Sequence, residues 1–190
     1  MVGQANQDAS AIGMIELNSV AAGIATADVM VKRADVELLE CRPVCPGKFI
    51  ILVGGLTQPV NEAMAAAEER GTEAVVDTLL LPNVHKSVFP ALVGAVEAPE
   101  VQALGIVETI SVASCIVAGD ASAKSADVLL TEMRLANGLG GKSFYLMVGD
   151  VFSVKEGVEA AVETIRDTGM IVRFEIIESL SEQVRRKVIC

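Results

Sequence analysis

Residues Ala11–Arg42 read AIGMIELNSVAAGIATADVMVKRADVELLECR, and residues Ala103–Arg134 read ALGIVETISVASCIVAGDASAKSADVLLTEMR. Superposed with a displacement of 92 positions and no gap, they are identical at 15 of 32 positions, where chance gives on the order of two or three. The match continues with small length changes: Gly47-Lys48-Phe49 answers Gly141-Lys142-Ser143-Phe144, and Val53-Gly54-Gly55 answers Val148-Gly149-Asp150. The chain contains itself twice. Each copy exceeds a solenoid unit of roughly 20–50 residues, so each is read as a small domain. The copies span 1–97 and 98–190, joined near Gly94–Gln102, where Pro99 and flanking glutamates suit a surface link.

Both copies predict the same order of elements. Gly13–Leu17 and Gly105–Thr109 read as strands, and Ser19 and Ser111 as N-caps of Ala-rich helices ending at Arg33 and Ser125. Strands Asp35–Glu40 and Asp127–Thr131 follow, then the turn-rich stretches CRPVCPGK (41–48) and RLANGLGGK (134–142). Strands Phe49–Val53 and Phe144–Val148, helices Pro59–Arg70 and Val154–Asp167, and strands near Ala74–Leu81 and Met170–Ile177 complete each copy. The expected class is α+β, each copy a mostly antiparallel sheet flanked by helices. A copy of under 100 residues makes a marginal core alone, which argues that the copies pack together.

The composition narrows the function. Of 190 residues 52% are hydrophobic and only 3% aromatic, which favours closely approaching elements over an aromatic-lined substrate pocket. So much apolar side chain in so short a chain points to subunit interfaces. Fifteen basic residues against 25 acidic ones give a net charge of −10, the wrong sign for phosphate-backbone binding, so nucleic acid is not an expected partner. The longest apolar runs, Ile50–Leu56 and Ala74–Leu81, fall short of a membrane span and break at glycines, Asp77 and Pro82. MVGQANQDAS at the start is polar and does not read as a secretory signal, so a cytoplasmic location is expected, with free thiols or metal ligands rather than disulfides.

Few residues offer chemistry. His85 is the only histidine, and the second copy has no counterpart, so a hydrolytic triad or His-rich metal site is not expected. GLGGK at Gly138–Lys142 lacks the spacing and the Ser/Thr of a phosphate-binding loop. No acid–base pair or nucleophile constellation suits an enzyme. Glu16 with Glu108, Asp28 with Asp120 and Lys32 with Lys124 recur, which suits architecture, and each Asp lies four residues before its Lys along a helix face.

The copies diverge in the loop where Cys45-Pro46-Gly47-Lys48 stands in place of Asn137-Gly138-Leu139-Gly140-Gly141-Lys142. Pro46 and Gly47 predict a tight turn with Cys45 at its shoulder, where a thiol is available as a thiolate. One chain supplies no CxxC series, only Cys41 and Cys45 at C-x3-C. Three chains about a threefold axis would bring three Cys45 thiolates together, enough for three irons of a cubane with the fourth left to another ligand. Cys115 falls in a helix at the position of Gly23 and reads as packed; Cys190 is terminal. Cys41 reads either as a small strand residue or as a substitute ligand.

The quoted repeats resemble bacterial microcompartment shell domains in their Gly-x-(Ile/Val)-Glu opening, Ser-started helix and Lys-x-Ala-Asp-Val run. Two fused copies resemble the tandem-domain shell proteins, which form trimers imitating hexamers. VCPGKFIILVGG and the later NVH at Asn83–His85 resemble a type from the propanediol-utilisation compartment. That resemblance implies ferredoxin-like domains, no enzyme activity, and a homotrimer tiled with other shell proteins. It also implies a [4Fe-4S] cluster shared by three subunits through Cys45, relaying electrons to a redox protein. Pro46, Gly47, Lys48, Asn137, Gly138, Leu139 and Gly140 would line the centre, and Lys32, Lys124 and His85 would make edge contacts. Two other readings remain: a shell trimer whose central opening is a metabolite pore, and a small-molecule-binding regulator.

Overall fold

A computed structural model describes residues 9–94, 96–97 and 102–189. The chain forms two compact units, one ending at Val84 and the other beginning at His85. The sequence boundary is expected at 97/98, whereas residues 85–94 belong to the second unit by their packing. Much of the expected link, Pro99 included, lies outside the described residues, as does Cys190.

The first unit runs β1 (Ala11–Leu17), α1 (Val20–Arg33), β2 (Glu37–Val44), β3 (Lys48–Gly55), α2 (Thr57–Gly71) and β4 (Val75–Pro82). Its strands pair antiparallel in the order β2-β3-β1-β4. In the second unit a short α3 (Val88–Leu92) precedes β5 (Ala103–Thr109), α4 (Val112–Ser125), β6 (Leu129–Arg134) and β7 (Ser143–Gly149). Then follow α5 (Val151–Ile165), β8 (Ile171–Ile177) and α6 (Glu182–Val188). The order β6-β7-β5-β8 repeats the first sheet. The α+β class read from the sequence is the observed one.

Burial explains the arrangement. The central strand β1 is buried along its whole length, so it carries an uninterrupted apolar run with one charge, Glu16. Ala11, Ile15 and Leu17 of β1 and Phe49, Ile51 and Val53 of β3 form a core with Ala27 and Met30 of α1 and Val60, Ala63, Met64 and Ala67 of α2. Small residues on the helices let them lie close to the sheet, as the aromatic-poor composition requires. Ser19 caps α1 by accepting from Ala22 N–H at 3.2 Å, and Ser111 caps α4 by accepting from Ser114 N–H at 3.0 Å.

One expectation is corrected. The stretch 41–48 is not a loop: β2 continues through Pro43 to Val44, so the connection to β3 is only Cys45–Gly47. Proline is tolerated there because β2 lies at the edge of its sheet. The corresponding stretch of the second unit does open into a loop, residues 135–142, after β6.

Candidate metal centre and edge residues

The tight β2–β3 turn positions the thiol. The Cys45–Pro46 peptide is cis, Gly47 has a φ of +74°, and a Cβ placed on Gly47 would meet nothing within 4 Å. The turn therefore projects into open space, and Cys45, Pro46 and Gly47 are all exposed. Lys48 at its base reaches Glu16 Oε1 at 3.3 Å, and the nearly buried Glu16 ties the turn to the central strand. The second unit repeats this tie, since Lys142 pairs with Glu108.

Above that tie the units differ. In the second, Leu135 and Ala136 turn inward, and Ala136 N–H donates to Ser143 Oγ at 3.1 Å. Asn137, Gly138 and Gly140 are exposed, Leu139 is half-buried, and Lys142 N–H donates to the Leu139 carbonyl at 3.2 Å. This loop presents backbone where the first unit presents a thiol.

The other described cysteines are set apart by environment. Cys115 is fully buried in α4, and burial pushes its thiol pKa far up, so it is inert as expected of a packed helix residue. Cys41 is exposed on β2, but partial burial and the neighbouring Glu40 carboxylate both raise its pKa, which disfavours the thiolate. Among the described residues no three of His, Cys, Asp and Glu come together as a metal site. Among the described residues Cys45 is the thiol that stands on a projecting turn, without a complete ligand set beside it.

The recurrent Asp–Lys pairs form as their spacing predicts: Lys32 Nζ meets Asp28 Oδ2, and Lys124 Nζ meets Asp120 Oδ2, both at 2.6 Å. Their settings differ. Lys32 and Asp28 are exposed, whereas Asp120 is buried and its Oδ1 accepts the His85 backbone N–H at 2.7 Å. The His85 ring lies 2.8 Å from Ser87 Oγ through Nδ1, which also accepts the Ser87 N–H at 3.3 Å, so the imidazole caps the start of α3. The Asp120–His85 contact was invisible in sequence, because Asp28 and Asp120 sit in matching positions.

A family model described as the BMC domain matches residues 11–84 and again 103–180. The chain belongs to this family and is a tandem BMC-domain shell protein. It is 40% identical over 179 residues to the bacterial microcompartment shell protein PduT of Citrobacter freundii, covering 94% of this chain and 97% of that one. Over 85 residues it is 38% identical to the carboxysome shell protein CsoS1A of Hydrogenovibrio crunogenus, covering 43% of this chain and 88% of the other. Two of its domains thus stand where that protein has one. The crystal structure of a microcompartments protein from Desulfitobacterium hafniense superposes with a TM-score of 0.91 at 44% identity, covering 93% of this chain and 98% of that one. These relatives are named as shell or microcompartment proteins, which accords with a structural role. No described helix is long and apolar enough to cross a membrane.

Proposed function

We propose that three copies of this chain close into a six-lobed ring that tiles, with other shell proteins, into a microcompartment wall within the cytoplasm. In this reading Cys45 of each copy reaches the threefold axis, and the three thiolates hold a [4Fe-4S] cluster. The observation that carries it is the exposed Cys45 thiol on a projecting turn, present in one repeat and replaced in the other. A six-lobed ring of such chains therefore presents three Cys45 turns, not six. They suit three irons of a cubane, with the fourth iron left to a non-protein or solvent ligand.

Such a cluster, when bound, supplies one-electron transfer across the wall. The chain's own part is to aim the thiol. The Lys48–Glu16 tie fixes the base of the turn, and Pro46 and Gly47 keep it short. Pro46, Gly47, Lys48, Asn137, Gly138, Leu139 and Gly140 would surround the axis. Lys32, Lys124 and His85 would meet neighbouring particles, and an encapsulated or cytosolic redox protein would exchange electrons at the centre.

Iron and sulfide analysis after anaerobic purification tests this. Cys45→Ala should lose essentially all bound iron while light scattering still reports a trimer, and Cys41→Ala should keep it. Full iron retention in Cys45→Ala would sink the assignment. A colourless, iron-free trimer of the unaltered protein from a competent anaerobic preparation would leave the opening as a metabolite pore.

A further inference from the structure

The outer side of one helix differs in charge and shape between the repeats. Helices α2 and α5 are equivalent, each of 15 residues, Thr57 answering Val151 at their starts. Glu62, Ala65 and Glu69 of α2 therefore answer Glu156, Glu159 and Glu163 of α5. The edge strands match by register: Ile15 pairs with Thr78 and Val107 with Phe174, Gly13 with Leu80 and Gly105 with Ile176. In the second unit a cleft of about 720 Å³ opens between α5 and β8, with Phe174 and Ile176 in its lining. In the first unit the hollow on the same helix side is lined by α1 and α2 alone, with Arg33 and Arg70 beside Glu62 and Glu69.

Three replacements make the difference. Phe174 in place of Thr78 brings an aromatic ring that is 46% exposed and lies outside the apolar cluster of its own sheet. Glu159 in place of Ala65 completes a row with Glu156 and Glu163, spaced i, i+3 and i+7 so that all three stand on one side of the helix. Ser125 and Thr164 replace Arg33 and Arg70, which removes both cations. The first hollow balances two carboxylates with two guanidinium groups. The second sets three carboxylates against Arg166, the one cation among the described residues that line it, and Arg166 pairs with Glu163. Exposed Glu156 and Glu159 thus border an exposed phenyl ring with no cation of the cleft between them.

We infer that the α5–β8 cleft is a docking groove for a segment of another protein that carries lysine or arginine beside apolar side chains. The groove follows the helix from Glu156 to Arg166, about 15 Å at 1.5 Å per residue. An elongated groove suits a stretch of polypeptide better than a compact ligand. Apolar side chains of the segment cover Phe174 and Ile176, where an exposed aromatic is the strongest anchor. Its cations meet Glu156 and Glu159 at the rim, which fixes its register and draws it to a chain of net charge −10. The first repeat has neither the ring nor the charge excess, so each chain holds one such segment. The groove uses neither the Cys45 turn nor the edge residues, and it stands whether or not a cluster is bound.

A short fluorescent peptide with leucine and lysine at helical spacing is the probe, titrated with the full chain and read by anisotropy. A control peptide keeps the leucines and has glutamate for every lysine. The lysine peptide should bind saturably, one per chain, and the glutamate peptide should not. Phe174→Thr and Glu159→Ala, which restore the residues of the first repeat, should each weaken binding by about tenfold. Both side chains are exposed, so each variant should keep the unaltered protein's circular dichroism and melting midpoint. Glu73→Ala, which removes an exposed carboxylate outside the cleft, should leave the affinity unchanged. No binding of the lysine peptide, equal binding of both peptides, or unaltered affinity in Phe174→Thr and Glu159→Ala overturns the groove. An equal loss in Glu73→Ala also overturns it, reducing the effect to net charge. If benzyltrimethylammonium occupies the cleft more tightly than the peptide, its ligand is a small organic cation and the proposal falls.

Discussion

Ser122 shows how a single hydroxyl joins three elements of the second unit. It donates to the Gly157 carbonyl of α5 at 2.7 Å and, with its hydrogen so committed, accepts from the Tyr145 hydroxyl at 2.8 Å. Burial drives the Tyr145 pKa far up, so the phenol stays a neutral donor. Ser122→Ala leaves that buried donor without a partner and should lower stability by about 1–3 kcal/mol, read from the urea midpoint. Asp150 is a second such residue, a cap whose carboxylate accepts from the N–H groups of Phe152 and Ser153 at 2.8 and 3.0 Å and from Ser153 Oγ. These bonds hold its pKa below the ordinary carboxylate value. A lowered folded pKa stabilises the protein above the unfolded carboxylate pKa, and that contribution is lost as pH falls through the folded value. Asp150→Asn keeps an acceptor without the charge, so its melting midpoint should fall less than that of the unaltered protein on acidification. Equal acid slopes would contradict the assignment. Ser19 and Ser111 were legible as caps because each precedes an Ala-rich run; the Ser122 network was not, since it depends on strand β7 lying beneath α4.

At the scale of elements the repeats exchange volume between helix and sheet. Gly23 of α1 packs over Phe49, and a Cβ there would come within 2.3 Å of the ring. In the second unit Cys115 takes the place of Gly23, and the strand register sets Ser143, opposite Thr109, in the place of Phe49, opposite Leu17. The helix side chain grows from Gly to Cys where the strand side chain shrinks from Phe to Ser, a partial exchange of volume. The sequence match GKF with GKSF pairs Phe49 with Phe144, and only the hydrogen-bonded register shows Ser143 to be its counterpart. Gly23→Cys should cost about 1–3 kcal/mol through overpacking. Adding Phe49→Ser should relieve part of that cost in a double-mutant cycle; strict additivity would contradict the exchange. The extension of β2 through Pro43 was likewise hidden, because proline reads as a strand breaker until the strand is known to lie at an edge.

At the scale of the whole molecule the repeat made the fold legible: duplicated caps, apolar strands and Asp–Lys pairs all recur where the structure places two similar units. The Cys45 turn was legible for the opposite reason, as the point where the repeats stop agreeing. What the sequence hid is the covering of one duplicated helix and not the other, because Val20, Ile24 and Asp28 match Val112, Ile116 and Asp120 in kind and differ only in burial. The exposed Val20, Ile24 and Val31 of α1 and Val184 and Val188 of α6 are apolar surface that an association would cover. In the proposed ring the thiol at the turn would acquire its partners from symmetry rather than from its own chain. Native mass spectrometry of anaerobically purified protein reads both properties at once. The account predicts a particle of three chains carrying the mass of one four-iron, four-sulfide cluster, lost together with its colour on Cys45→Ala; a particle of any other chain number, or three chains with no added mass, contradicts it.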